Sequence, residues 1–349
     1  MRRVVLGDPQ APFAHVMALL ERGGVLDGDR LRSDVELISI GDHFDYDLRQ
    51  PEVSREEGLR VLRWLASHEQ VRLIFGNHDA ARVIELATTS DREFAAARAL
   101  ALDIEQTKHD RGRAAAKQRE TEEWLPRYAH LSTYGIVARD YASFSEEQRA
   151  LVVELMLAGR FHLALDGKLP DGRAAVLTHA GLTTKEKIFD AAVIDQYFTI
   201  AVEGRRADWE AGVITPLSLE PLVRAGGPGI EAGGMLAHRP SDPDRDGADP
   251  IWERDPRRPR RFAPSELPPI TQICGHTNHA SCLRELGRWA TPQAKAQRHA
   301  GIRTLRWDGH EAIYDLGILP TQSGVADLIL VDGELRDPAN RAELLDLAW

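Results

Sequence analysis

Leu73-Ile74-Phe75-Gly76-Asn77-His78-Asp79 is the stretch whose reading decides the fold. Three apolar residues run into a glycine and then into three side chains that can ligate, donate or titrate. An apolar run that stops at Gly reads as a buried parallel strand leaving its sheet. In open α/β sheets, reactive groups gather just outside the carboxyl ends of such strands. Alone, Gly-Asn-His-Asp is equally an ordinary turn, because Gly and Asn are turn residues. Four other segments repeat the pattern.

Upstream, Arg3-Val4-Val5-Leu6 stops at Gly7-Asp8-Pro9-Gln10, and an apolar-periodic helix is expected over 15–22. Val35-Glu36-Leu37-Ile38-Ser39-Ile40 stops at Gly41-Asp42-His43-Phe44-Asp45. A helix over 54–68 follows, with Leu59, Val61, Leu62 and Leu65 at helical spacing. Strand–helix units in succession favour a helix-covered, mainly parallel α/β sheet.

Downstream, residues 80–159 are dominated by Ala, Arg and Glu, which are strong helix formers. They read as a helical insertion beside the sheet, either a lid over the site or a decoration with no chemical role. Strands resume over 161–165 and 174–178, and Asp171-Gly172 between them marks a hairpin and so a mixed sheet. The second of these stops at His179-Ala180-Gly181-Leu182. A helix-rich region to about Arg224 precedes a loop over 226–269 dense in Gly, Pro and Asp, a length that is usually functional or mobile. Ile270-Thr271-Gln272-Ile273-Cys274 then stops at Gly275-His276-Thr277-Asn278. Strand-like runs cover 302–307, 312–316 and 328–331, and a short helix is expected over 339–347. No repeat or break divides the chain, so residues 1–349 read as a single domain.

At 349 residues the chain can bury one large core. Its 43% hydrophobic content is that of a soluble globular protein. A net charge of -10 argues against a large nucleic-acid-binding face, though not against a local basic pocket. The start of the chain goes almost directly into a strand without a secretory signal pattern, and no run approaches the ~18 apolar residues of a membrane span. Two cysteines, Cys274 and Cys282, make no disulfide framework. The expectation is a cytoplasmic protein with inert thiols and no membrane partner.

The strand ends together supply Asp8, Gln10, Asp42, Asp45, Asn77, His78, His179 and His276. Carboxylates, amide oxygens and imidazoles suit borderline divalent ions such as Mn²⁺, Fe²⁺ or Zn²⁺. Two ions ~3.5–4 Å apart can share a carboxylate, bind phosphoryl oxygens and lower the pKa of a water toward ~7. A histidine kept off the metals could protonate a leaving alkoxide, provided a carboxylate orients it. This inventory fits hydrolysis of a phosphoester by in-line attack of a metal-activated water.

The series Gly7-Asp8-x-Gln10, Gly41-Asp42-x-x-Asp45, Gly76-Asn77-His78-Asp79, His179-Ala180-Gly181 and Gly275-His276-Thr277 resembles the calcineurin-like metallophosphoesterases. It is most similar to their phosphoprotein-phosphatase branch and to bacterial symmetrical diadenosine tetraphosphatases. The motifs span residues 7–278 and do not cover the helical insertion or the rest of the tail. The resemblance implies a four-layer α-β-β-α sandwich of two mixed sheets, with the site at their rim. It implies two divalent ions, Mn²⁺ first, with Fe, Zn or Ni as alternatives. Asp8 and Gln10 would hold the first ion, Asp42 would bridge, and Asn77, His179 and His276 would complete the second. His78 would be the off-metal acid, or would stabilise charge on the phosphoryl oxygen, with Asp45 orienting it. Asp79 is left as a helix cap.

Departures from the pattern matter. Gln10 stands where the family usually has His, and an amide oxygen is the weaker ligand. Asn278 stands where many superfamily members have a second His, although the phosphoprotein-phosphatase branch lacks that residue. The first metal is therefore expected to have few protein ligands and to bind weakly. Tyr46 stands where the branch has an Arg, with Arg49 nearby. The segment Trp252-Glu253-Arg254 resembles one that places an Arg on the phosphate, which makes Arg254 a candidate substrate-binding residue. The basic run over 257–261 reads as a solvated face or a guide for anions. Asp242-x-Asp244-x-Asp246-Gly247 with Glu253 has calcium-loop spacing, but Pro243 and Pro250 interrupt it and it reads as a turn-rich loop. His43 and His279 flank metal motifs and are read as supporting or surface histidines.

The first-choice substrate is a phosphomonoester on a protein or small molecule, and the runner-up is a dinucleoside polyphosphate. A nuclease or nucleic-acid end phosphatase is disfavoured by the acidic balance. From a different class, a non-catalytic metal-binding scaffold would need neither His78 nor Asp45.

Overall fold

Val4, Val5 and Leu6 are all buried, so the first strand, β1 (Arg2–Leu6), is covered on both faces. A near-continuous apolar run requires that arrangement. The computed structural model describes residues 1–224, 233–244, 261–337 and 342–348. β1 pairs in parallel with β2 (Val35–Ser39), β2 with β3 (Val71–Ile74), and β3 with the short β4 (Phe161–His162). The chain then crosses to a second sheet made of β5 (Leu165–Lys168), β6 (Ala174–Leu177), β7 (Thr271–Cys274), β8 (Arg303–Trp307), β9 (Ala312–Leu316) and β10 (Ala326–Leu330). It returns to the first sheet as β11 (Leu345–Leu347), antiparallel to β1. The spatial orders are β11-β1-β2-β3-β4 and β9-β8-β10-β7-β6-β5. In the second sheet β6, β7 and β10 run parallel to one another, while β5, β8 and β9 pair antiparallel with their neighbours. Both sheets are mixed, and the fold is mixed α/β.

Side-chain alternation along the strands sorts the core. Val4, Leu6, Leu37 and Leu73 join one apolar cluster with residues of α1 (Phe13–Arg22) and α2 (Pro51–Ala66). The alternate residues Val5, Ile38 and Ile74 join a second cluster with Leu177, Ile273 and Ile329 from the other sheet. The two sheets therefore share a dry interior between them. After β3 come α3 (Asn77–Val83) and then the insertion, with α4 (Asp91–Arg111), α5 (Arg113–Arg119), α6 (Leu125–Tyr128), α7 (Tyr134–Arg139) and α8 (Glu146–Leu157). Phe94, Ile104, Trp124, Val137 and Phe144 give the insertion an apolar cluster of its own. A single helix, α9 (Ala191–Glu210), fills the region expected to be helix-rich, and α10 (His279–Leu286) follows β7. Among the described residues no helix is long and apolar enough to cross a membrane. The described parts of the 226–269 segment carry short pairings, Arg239–Pro240 with Arg261–Phe262 among them.

Two expectations are corrected. Residues 161–165 are not one strand: Phe161–His162 belongs to the first sheet and Leu165–Lys168 starts the hairpin in the second. Asp195 makes the break tolerable, because its Oδ1 accepts the Leu163 N–H at 2.8 Å and its Oδ2 lies 2.8 Å from His162 Nδ1. A buried N–H that leaves a ladder needs such a partner. The expected helix over 339–347 is a strand at Leu345–Leu347, while residues 338–341 lie outside the described set. Leu345 and Leu347 are buried and Asp346 between them is exposed, so β1 gains a partner and the inter-sheet core gains two leucines. Tertiary burial outweighs the helix propensity of Ala, Glu and Leu here.

That alternation is testable. Leu345→Ala should lower the unfolding free energy in urea by about 2–5 kcal/mol. Asp346→Ala, which loses an exposed ion pair with Arg2, should cost less than about 1 kcal/mol. Equal costs at the two positions would contradict the strand.

Candidate metal centre and active site

The motif residues sit where the parallel strands of both sheets end, and the backbone there is sharply turned. Asp42, Asp45 and His276 have φ of 56°, 66° and 62°. Left-handed φ at a non-glycine residue costs ~1–3 kcal/mol, and such residues cluster at functional sites. The glycines of the motifs have a steric reason. A Cβ on Gly76 would run into the backbone N and carboxylate of Asp42, and one on Gly275 into the carboxylate of Asp8. Each strand end therefore lies against the acidic residue of another, an approach that only glycine permits.

Asp79 fastens this junction. Fully buried, its carboxylate accepts from the N–H groups of Gly76 at 3.0 Å, Asp42 at 3.2 Å and His43 at 3.3 Å. The Gly76 bond caps α3, as expected for this residue; the other two tie α3 to the turn after β2. His43 Nδ1 lies 3.0 Å from Asp79 and its Nε2 3.0 Å from Ser39 Oγ, so His43 is a buried supporting residue. His279 is buried as well, with Nδ1 2.7 Å from the Tyr314 hydroxyl.

Asp42, His179 and His276 each offer a ligating atom, and these atoms all lie within 4.8 Å of one another. His179 Nδ1 donates to the Ile40 carbonyl at 2.8 Å, which leaves Nε2 turned toward the cluster. There Nε2 faces Asn77 Oδ1 at 2.9 Å, His276 Nδ1 at 3.2 Å and Asp42 Oδ2 at 3.3 Å. A neutral imidazole in that tautomer brings a lone pair to a set of acceptors, an arrangement that a cation relieves. Burial works against charging His179, but Asp42 and then Asp8 outweigh it and lift its pKa to about 9. Nearby, Asp8 Oδ2 accepts from the His276 N–H at 2.8 Å, whereas its Oδ1 is buried without a hydrogen-bond partner among the described residues. Burial, then the charge of Asp332, push the Asp8 pKa well above the usual carboxylate range. Gln10 donates its amide to the Phe44 carbonyl at 2.9 Å, which leaves its Oε1 uncommitted by that bond. The donor set fits a divalent cation: oxygen and imidazole atoms, converging, with an orphaned carboxylate oxygen among them.

His78 is held apart from this cluster. Its backbone N–H donates to Asp42 Oδ1 at 2.9 Å, while its ring Nδ1 is turned to Asp45 Oδ2 at 2.9 Å. Its Nε2 lies 3.9 Å from Asp42 Oδ2, and the ring packs edge-on against Tyr141. Burial pulls its pKa down, but the Asp42 and Asp45 carboxylates carry it above the ordinary value. Asp45 is itself saturated. Arg82 lies 2.6 Å from its Oδ2, and Ser143 donates to Oδ1 from both N–H and hydroxyl at 2.8 and 2.6 Å. Although burial favours the neutral acid, Arg82 and His78 keep Asp45 ionised, with its pKa far below the usual range. Arg82 is fully buried and also reaches the His78 carbonyl and Gln148.

Asp8, Gln10, Asp42, Asp45, His78 and His276 line one cleft of about 190 Å³, and His179 meets two of them, Asp42 and His276. Arg139, Arg239, Asp332 and Arg336 line it too. The insertion places Arg139 and Asp140 on the cleft, Tyr141 on His78, and Ser143 on Asp45. Arg254 lies outside the described residues, as do Asp246 and Glu253 of the calcium-like spacing and Arg257 to Arg260 of the basic run. Arg261 is paired with Glu285 at 3.0 Å. Asp242 and Asp244 form a turn held by Arg288, in keeping with the turn-rich reading. Arg49 is exposed and is not part of the cleft lining.

Sequence reasoning missed Arg82, Ser143, Asp332 and Arg239. Asp332 had a signal, since the run Leu328–Val331 ends in Asp332-Gly333 as the other motif strands end in Gly and a ligand. Arg82 stands one helical turn after His78, but a lone helical Arg is usually solvated and its burial depends on the insertion.

Neither a protein-family model nor a curated protein sequence matches the chain. Among solved structures it is similar to a cold-active protein-tyrosine phosphatase of a psychrophile Shewanella sp., at 12% identity and a TM-score of 0.39, covering 96% of this chain and 72% of that one. A point mutant of a cold-active protein tyrosine phosphatase gives 14% identity and a TM-score of 0.42, with 99% and 74% covered.

The buried Arg82–Asp45 pair yields a stability prediction. Arg82→Leu strands an ionised carboxylate and should cost ~3–5 kcal/mol in urea unfolding. Adding Asp45→Asn should restore part of that loss. A single mutant of wild-type stability would contradict the pairing.

Proposed function

We propose that this chain is a metal-dependent phosphoesterase of the calcineurin-like type, a four-layer α-β-β-α sandwich with two divalent cations, Mn²⁺ first among them, where the strand ends meet. The observation that carries the reading is His179: its Nδ1 is committed to the Ile40 carbonyl and its Nε2 meets Asn77, Asp42 and His276 within 3.3 Å. Asp8 and Gln10 would hold one ion, Asn77, His179 and His276 the other, and Asp42 both. So held, the cations would supply Lewis acidity toward phosphoryl oxygens and lower the pKa of an attacking water. The chain's own residues do the rest. Asp45 fixes His78 through Nδ1, so that Nε2 is the atom left to pass a proton to a leaving alkoxide. Arg82 and Ser143 keep Asp45 ionised and immobile in that task. Arg239, whose Nε is buried without a hydrogen-bond partner among the described residues, is the cleft residue we assign to the substrate phosphate.

A phosphomonoester remains the first-choice substrate. One observation favours the dinucleoside polyphosphate reading: three separate segments bring Arg139, Arg239 and Arg336 to one cleft in a chain of net charge -10. A row of phosphates can use more than one guanidinium. A cytoplasmic setting is part of the proposal, and it suits two buried, unpaired thiols.

With Mn²⁺ added, the protein should hydrolyse p-nitrophenyl phosphate, and His78→Ala should lower kcat by ~10²–10⁴-fold. Equal rates in the two proteins would remove His78 from the mechanism. In the same assays Arg239→Ala should raise KM more than it lowers kcat. A larger kcat/KM for diadenosine tetraphosphate than for phosphopeptides would select the second substrate class.

A further inference from the structure

We propose that Asp332 is an additional protein ligand on the Gln10 side of the centre, supplying the donor that this chain otherwise lacks there. The proposal rests on the two-cation reading above. The first argument is register. Asp8 stands two residues past the end of β1, His179 two past β6 and His276 two past β7. Asp332 stands two past β10, the parallel neighbour of β7, so the topology delivers it to the same rim as the other ligands.

Its environment makes that placement chemical. Asp332 is 8% exposed and lines the cleft with Asp8, Gln10 and His276. The residue is pinned. Its carbonyl accepts from the buried Arg303 at 2.5 Å, and its Oδ1 accepts the Glu334 N–H at 2.9 Å. Among the described residues Oδ2 has no hydrogen bond, and Asp8 Oδ1, from the same cleft, is buried without a partner. Two buried carboxylates on one cleft, each with an oxygen free of hydrogen bonds among the described residues, can turn those oxygens to one cation.

The neighbouring candidates are already used. Asn278 caps α10 by accepting the Ser281 N–H at 2.9 Å and donates its amide to Glu334 at 2.8 Å. Neither end of that side chain is left to replace an imidazole. Gln10 offers only a neutral amide oxygen, and an anionic oxygen from Asp332 offsets that weakness. The weak first site expected from Gln10 and Asn278 is thereby strengthened by a residue outside the five motifs.

The test is a calorimetric titration of chelator-stripped full-length protein with Mn²⁺, for the wild type, Asp332→Asn and Asp332→Ser. The wild type should take up two ions per chain. Each variant should keep one ion at unchanged affinity and bind the other at least tenfold more weakly, in the ~10–100-fold range seen when a metal's supporting groups are removed. Metal-free melting supplies a readout independent of binding. The isosteric Asp332→Asn should melt near the wild-type temperature without metal, and Mn²⁺ should raise its Tm less than it raises that of the wild type. Two ions bound with unchanged affinities in both variants would overturn the role of Asp332 and leave the two-cation centre standing. A wild type that binds no Mn²⁺ would overturn both.

Discussion

Strand ends from two sheets meet backbone to side chain at the centre of this molecule, and glycine is what allows it. Gly76 lies against Asp42, and Gly275 against Asp8, with no room for a Cβ at either place. Because the contacts link different strands, the positions of the acidic residues are set by the packing of the sheets and not by flexible loops. The inter-sheet cluster of Val5, Ile38, Ile74, Leu177, Ile273 and Ile329 holds that packing rigid just beneath the site. Placement on rigid elements is what a multi-ligand centre needs, since donors must converge without first being ordered.

Close approach has an electrostatic consequence. Asp8, Asp42, Asp45 and Asp332 are all buried, and each solves the problem of its charge differently. Asp45 is neutralised within the protein by Arg82 and by donors from Ser143. It is thereby free to orient His78. Asp42 faces imidazoles of His179 and His78, which hold its pKa below the usual range against the effect of burial. For Asp8 and Asp332 burial wins: it pushes both upward, although His179 opposes it at Asp8 and Arg303 at Asp332. The contrast divides the site into a half built around His78, whose carboxylate is kept ionised, and a half in which burial dominates.

Much of this was legible in the sequence, and the limits have physical causes. The strands of the first sheet read clearly because Val4 to Leu6, Leu37 to Ile40 and Leu73 to Phe75 are buried on both faces and end at glycine. The same signature brought Asp8, Asp42, Asn77, His179 and His276 together before any coordinates. The change of sheet between His162 and Leu165 was not legible, since it depends on Asp195, a residue on a helix far along the chain. Nor was β11, whose Leu345-Asp346-Leu347 carries helix-forming composition and becomes a strand only because β1 offers an edge. Arg82 and Ser143 were hidden for a similar reason: Ser143 reaches Asp45 from the insertion, and Arg82 is buried beneath it against Ser143 and Gln148, contacts for which local sequence offers no register. Asp332 was legible in principle, as an apolar run ending in Asp-Gly.

The most direct measurement is anomalous diffraction at the manganese edge from crystals grown with Mn²⁺. The account predicts a peak enclosed by Asp42, Asn77, His179 and His276, with a second beside Asp8 and Gln10. An ordered site with no anomalous density between Asp42, His179 and His276 would contradict it.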